Sequence, residues 1–139
     1  MPGDTSEPPR SIVLIVEDAD TSATTLELAF LTIPGVRVLL ASTGREALAI
    51  LRDENCHVAA LVTDLNMPLM DGFELVRQIR ADRRHRELPI IVVSGDTDPH
   101  TPDRVAGLGA NAYFAKPYSP AQVRQKLEQL LDANRTQKS

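Results

Sequence analysis

A chain of 139 residues with 42% hydrophobic and 24% charged residues has an ordinary globular composition and enough length to bury one core. Its net charge of −4 argues against a general nucleic-acid binder, which needs a basic surface to neutralise phosphates. The single cysteine, Cys56, excludes a disulfide framework or a cysteine metal site within the chain, and no apolar run reaches the length of a membrane span.

Residues 1–10, MPGDTSEPPR, lack the charged-then-apolar order of a signal peptide and read as a disordered leader, so the expected compartment is the cytoplasm. Ile12 to Val16 is a continuous apolar run rich in β-branched residues, the pattern of a strand buried on both faces, and it runs into Glu17-Asp18. Leu26, Ala29, Phe30 and Ile33 share one face of a helix that Pro34-Gly35 ends. Val36 to Ala41 is a second strand. Thr43 and Glu46 form a capping-box pattern opening a helix that buries Ala47, Leu48 and Leu51. The third strand, Val58 to Thr63, delivers Asp64 to a turn built on Asn66, Met67 and Pro68. A third helix follows with Gly72, Leu75, Val76 and Ile79 on one face. Pro89 introduces a fourth strand, Ile90 to Val93, with Ser94-Gly95-Asp96 at its end.

Thr101 as N-cap and Pro102 as first helical residue predict a short fourth helix that stops near Gly107 to Gly109. Asn111 to Ala115 is the fifth strand, ending at Lys116-Pro117. Ser119-Pro120 opens a last helix packed through Val123, Leu127, Leu130 and Leu131, and the polar stretch from Asn134 to Ser139 is expected to fray. The organisation predicted is thus a leader over 1–10, one domain over 11–132 and a polar tail over 133–139. Strands alternating with helices call for right-handed crossovers and a parallel sheet covered on both sides. The expected fold is α/β, a flavodoxin-like doubly wound (βα)5 sheet of strand order 2-1-3-4-5. Its switch point lies between the first and third strands.

That order brings Glu17, Asp18 and Asp64 to one crevice, with Ser94 and Lys116 from the neighbouring strand ends. Asp64 alone could simply cap a turn; in this company it can be a nucleophile, a metal ligand or both. Crowded carboxylates repel one another unless a cation is supplied. Mg²⁺ takes oxygen ligands and keeps several waters, whereas three acids are few for a calcium cage and no imidazole or thiolate is at hand for zinc. Open positions on such a metal accept phosphoryl oxygens, and Lys116 and Ser94 suit the same oxygens. The reaction implied is in-line phosphoryl transfer onto Asp64, giving an acyl phosphate.

From Ser11 to Asp132 the chain resembles the receiver domains of two-component response regulators. The features that carry the resemblance are Glu17-Asp18, Asp64 within TDLNMPLMDG, Ser94, Tyr113 and Lys116-Pro117, in that order at successive strand ends. The resemblance implies that Asp64 is the phosphoacceptor and that Asp18 and Asp64 bind Mg²⁺, or Mn²⁺ in its place. Glu17 would act through water and Asn66 through its backbone carbonyl. Lys116 would pair with the phosphoryl group, and Pro117 would follow a cis bond. Ser94 would turn inward to the phosphoryl group and free space for Tyr113, biasing the face made by the fourth helix, fifth strand and fifth helix. An aromatic half-buried in an edge strand is the plain structural alternative for Tyr113.

By the same resemblance, Asn66 and Asp96, two residues beyond Asp64 and Ser94, shape access of the hydrolytic water. Both are small and polar, so a short-lived acyl phosphate is expected. The donor would be a sensor histidine kinase or a phosphotransfer protein, and the output an unidentified downstream effector. A phosphorylation-dependent homodimer is compatible with the family. Catalysis would be limited to the chain's own phosphorylation and dephosphorylation, with no membrane or direct nucleic-acid partner.

The sequence departs from the family in three ways. Glu17 replaces the commoner Asp, Ser94 the frequent Thr, and prolines precede the fourth helix. A haloacid-dehalogenase-like phosphatase is a rival, but it needs a second acid where Asn66 stands, and no sequence for a cap domain is present. A pseudo-receiver that binds partners without being phosphorylated is the other rival, against which the intact acids and Lys116 argue. No effector sequence follows the fifth helix, so a stand-alone regulator or a piece of a longer protein is expected.

Other signals carry less. Residues 107–112, GLGANA, match a dinucleotide fingerprint in the wrong context and read as a helix stop. His57, His85 and His100 read as surface histidines, and the basic run from Asp82 to Arg86 as a solvated loop. Cys56 reads as a small buried or half-buried residue. Asn134-Arg135-Thr136 fits a glycosylation acceptor that a cytoplasmic chain would never present to that machinery.

Overall fold

The computed structural model describes residues 11–67 and 69–138; the expected leader, Pro68 and Ser139 lie outside the described residues. Among them, five parallel strands alternate with five α-helices. In chain order these are β1 (Ser11–Val16), α1 (Asp20–Phe30), β2 (Val36–Ala41), α2 (Gly44–Arg52), β3 (Val58–Asp64), α3 (Gly72–Ala81), β4 (Ile90–Ser94), α4 (Thr101–Leu108), β5 (Ala112–Ala115) and α5 (Pro120–Lys138). The sheet order is β2-β1-β3-β4-β5, every neighbouring pair parallel, as the doubly wound flavodoxin-like fold requires.

The β-branched runs work as buried central strands because alternate residues feed two cores. Leu14, Val16, Leu61, Ile90 and Val92 pack against Ala47, Leu48, Leu75, Ile79 and Val105 of α2, α3 and α4. Val13, Ile15, Val62, Ile91 and Val93 pack on the other face against Leu26 and Phe30 of α1 and Val123 and Leu127 of α5. β1 and β3 are neighbours, so their carboxyl ends meet at the point where the chain changes direction across the sheet.

Several boundaries move from their expected places. β3 and β4 each run one residue further and take Asp64 and Ser94 into the sheet. Asn111 leaves β5, because its side-chain oxygen accepts from the Ile90 N–H at 2.8 Å and so fills a ladder position from the side. α1 ends at Phe30, and Ile33 reaches the same core from the following turn. The capping box at Thr43 forms, with the Glu46 N–H at 3.1 Å from its hydroxyl; the reciprocal Glu46 carboxylate accepts from Ser42 rather than Thr43.

α4 begins one residue early, with His100 as N-cap and Thr101 as its first residue. The Thr101 hydroxyl is turned inward and fully buried, so it cannot serve as the cap. The helix does stop where expected, with Gly109 left-handed at φ 107°. α5 extends to Lys138. Asp82 caps a 3-10 turn over Arg83–His85, so the basic run is an ordered corner, and His85 is half-buried beside Asp82 at 3.5 Å rather than a surface histidine. Cys56 is half-buried, and His57 and His100 are exposed. No helix among the described residues is long and apolar enough to cross a membrane.

Candidate functional site

Asp64 closes β3 with only 5% of its surface exposed, and Glu17, just past β1, is buried to the same degree. Neighbouring strands bring them together: the Glu17 N–H continues the β1 ladder onto the Ala41 carbonyl at 3.0 Å, and Val16 stands opposite Thr63. Asp18, one residue on, is exposed. Each of the three acids can place a carboxylate oxygen within 4.8 Å of the others.

Lys116 enters from the end of β5. Its backbone N–H donates to the Ser94 carbonyl at 2.7 Å, which extends the β4–β5 pairing and aims the side chain along the sheet edge. Its Nζ donates to Asp64 Oδ2 at 2.7 Å and lies 3.4 Å from Glu17 Oε2. The other oxygens of both acids take backbone donors, Asn66 N–H on Asp64 Oδ1 at 3.1 Å and Ala19 N–H on Glu17 Oε1 at 3.1 Å. One half-buried ammonium thus faces two buried carboxylates, with a third acid at the rim.

That imbalance shows in the protonation of Glu17. Burial pushes its carboxyl up to about 7; Asp64 adds to the rise, while the Ala19 N–H and Lys116 oppose it without cancelling it. Burial alone would lower Lys116, but the hydrogen bond and charge of Asp64, joined by Glu17, outweigh it and hold the ammonium above its ordinary value. An all-oxygen donor set with excess negative charge, partly open to solvent through Asp18, fits a hard divalent cation such as Mg²⁺.

Ser94 is fully buried at the end of β4, where its Oγ accepts the Asp96 N–H at 2.9 Å. Asp96 is half-buried and Asn66 exposed. Tyr113 is half-buried in the edge strand β5 against the core under α2–α4, a placement that core packing alone accounts for. The Lys116–Pro117 peptide bond is cis. Glu17, Asp18, Asp64 and Lys116 therefore converge, Ser94 and Asp96 adjoin one another on the next strand end, and Tyr113 lies one strand further out.

Two residues at the site escaped sequence reasoning. Tyr118 lies near enough for Lys116, Glu17 and Asp64 to act on its phenol, which burial chiefly pushes above its ordinary value. Thr101 looked like a helix cap, yet its hydroxyl donates to Asp96 Oδ2 at 3.1 Å. Neither carries a local signal, since one depends on the chain path after Pro117 and the other on how α4 tilts into the sheet.

Comparison with known proteins agrees with this geometry. The response regulator receiver domain model matches residues 13–128. Chemotaxis protein CheY1 of Helicobacter pylori is 34% identical over 122 residues, covering 88% of this chain and 98% of the relative. A probable transcriptional regulator, ycf27 of Porphyridium aerugineum, is 33% identical, but the match covers only 47% of that longer protein. Among solved structures, a putative response regulator from Chloroflexus aurantiacus has a TM-score of 0.79 at 31% identity, covering 88% of this chain and 98% of that one.

Proposed function

Since the chain belongs to the response regulator receiver domain family, we propose that it is a phosphorylation switch with Asp64 as phosphoacceptor. The observation that carries this reading is the 2.7 Å contact of Lys116 Nζ with Asp64 Oδ2 inside a cluster of three acids. An Asp64 oxygen attacks phosphorus, the bond from phosphorus to a histidine nitrogen of the donor breaks, and that nitrogen leaves with the electron pair. Lys116 holds the carboxylate in place and is positioned to neutralise charge on the transferred group.

Asp18 and Asp64 would ligate Mg²⁺ or Mn²⁺, with the Asn66 carbonyl as a further ligand and Glu17 acting through water. The metal supplies charge neutralisation for the phosphoryl oxygens. Ser94 turns its hydroxyl to the phosphoryl group, and Tyr113 follows into the space released, which biases the face of α4, β5 and α5. The donor is a sensor histidine kinase or a phosphotransfer protein. The phosphohistidine of such donors is made from ATP, so the chain would work in the cytoplasm. The downstream effector docks on the switched face, and the chain has no substrate other than its own Asp64.

Incubation with Mg²⁺ and acetyl phosphate tests the reading. The expected result is a mass gain of one phosphoryl group, mapped to Asp64, absent with a chelator and absent in Asp64→Asn. A wild-type chain that stays unmodified under these conditions makes the protein a pseudo-receiver and overturns the proposal.

A further inference from the structure

Asp96 is held from both ends. Its N–H donates to Ser94 Oγ at 2.9 Å, while its carboxylate accepts the Thr101 hydroxyl on Oδ2 at 3.1 Å and the Asp98 N–H on Oδ1 at 2.9 Å. Thr101 is the first residue of α4 and has no exposed surface. Its N–H donates to the Asp98 carbonyl at 3.1 Å, so side chain and backbone both tie the helix to this short loop. Packing alone would accept a valine here, so the hydroxyl is the feature that packing leaves unexplained.

We propose that Thr101 is a positioning residue of the switch, tying the Ser94 hydroxyl to the first turn of α4 through the Asp96 carboxylate. This rests on the reading of Ser94 given above. In the structure Ser94 Oγ accepts from Asp96. When Ser94 turns to donate to a phosphoryl oxygen, the half-buried Asp96 N–H loses its acceptor, and leaving it unpaired is costly. Asp96 must then move to find another, and its carboxylate carries Thr101 with it.

The far end of α4 is pinned, because Arg80 Nη2 donates to the Gly109 carbonyl at 2.7 Å and Nε to the same oxygen at 3.1 Å. Midway, the Arg104 guanidinium lies 4.1 Å from the centroid of the Phe73 ring of α3. A displacement applied at Thr101 therefore tilts α4 about a fixed end, giving the output face a route of its own beside Tyr113.

The test uses the full chain with Mg²⁺ and beryllofluoride, a stable mimic of the phosphoryl group, and reads amide hydrogen exchange of residues 101–108. The wild type and Thr101→Ser should both change exchange in the first turn of α4 on adding beryllofluoride. Thr101→Val should lose that response by about threefold or more, the factor carried by one hydrogen bond, while its labelling by acetyl phosphate stays near wild type. If Thr101→Val does not fold, Asp96→Ala removes the same link at a half-buried position and should lose the same response.

A Thr101→Val or Asp96→Ala chain that responds like wild type overturns the inference while phosphorylation of Asp64 stands. A wild-type chain that takes no label overturns the parent reading and this inference with it.

Discussion

Gly72 presses so closely on the end of β3 that a Cβ there would lie 2.5 Å from the Asp64 carbonyl oxygen and 2.7 Å from Leu65 Cα. Its own N–H donates to the Leu65 carbonyl at 2.8 Å, locking the start of α3 to the end of the strand that carries Asp64. Backbone atoms cannot step aside as a side-chain end can, so Gly72→Ala must push α3 and β3 apart. The expected cost is about 1–3 kcal/mol by overpacking. A shifted Asp64 should also lose its alignment with Lys116, so acetyl phosphate labelling should slow along with a lower Tm. Unchanged labelling in a destabilised chain would separate the fold from the site.

The raised Glu17 carboxyl makes metal-free stability depend on pH. A folded-state value of about 7 against an ordinary 4.5 means that the native chain holds a proton the unfolded chain releases. The stabilisation is complete below about pH 4.5 and is lost as pH rises towards 7, by up to roughly 3 kcal/mol at about 1.4 kcal/mol per unit. Lys116 is raised from 10.5, so its contribution changes only in the alkaline range and leaves this window alone. Glu17→Gln, neutral throughout, should flatten the slope between pH 5 and 7.5 in urea unfolding with a chelator present. Added Mg²⁺ should restore stability at pH 7.5 in the wild type. An equal slope in Glu17→Gln would assign the dependence to another group.

Much of this arrangement is legible because each part has a short-range cause. Ile12 to Val16 and Ile90 to Val93 are unbroken apolar runs rich in β-branched residues, which suit central strands of a parallel sheet, and order 2-1-3-4-5 then puts Glu17 beside Asp64. What stays hidden depends on competition between local and distant partners. Thr101 has the local pattern of a cap, but the Asp96 carboxylate wins its hydroxyl and shifts the cap to His100. Asn111 reads as a strand residue, but its side chain is taken by the Ile90 N–H and by Arg80. Glu17 reads as a metal-facing acid, and nothing in its neighbours along the chain shows that burial would favour its protonated form.

Arg80 is a case in point and gives a prediction remote from Asp64. Its guanidinium donates to the Gly109 and His85 carbonyls and to Asn111 Oδ1, gathering α3, α4 and the entry to β5. Gly109 must be glycine for two reasons, its φ of 107° and a Cβ that would lie 2.9 Å from Arg80 Nε. Lysine cannot reproduce a planar fork on several oxygens at once. Arg80→Lys should lower stability by about 1–3 kcal/mol, the range for part-buried charge-assisted bonds, with acetyl phosphate labelling of Asp64 little changed. Chemical denaturation and labelling on the same sample check both halves.

The lifetime of the phosphoryl group should depend on Asn66. Its N–H is committed to Asp64 Oδ1 at 3.1 Å, which fixes its backbone beside that carboxylate, while the residue itself is exposed at the rim. Hydrolysis needs a water to approach phosphorus in line with the Asp64 oxygen that leaves, so a side chain at this rim decides how freely water arrives. Asparagine is small and polar there and can hold a water by hydrogen bonding, which favours rapid loss. Asn66→Leu keeps the backbone N–H and removes the polar end, so the acyl phosphate should form as before and decay about threefold to tenfold more slowly, the effect of withdrawing one positioning hydrogen bond. Release of radiolabelled phosphate from the purified phosphorylated chain measures the decay. An equal or faster rate in the leucine variant would move control of hydrolysis away from this rim, to Asp96 or to Lys116.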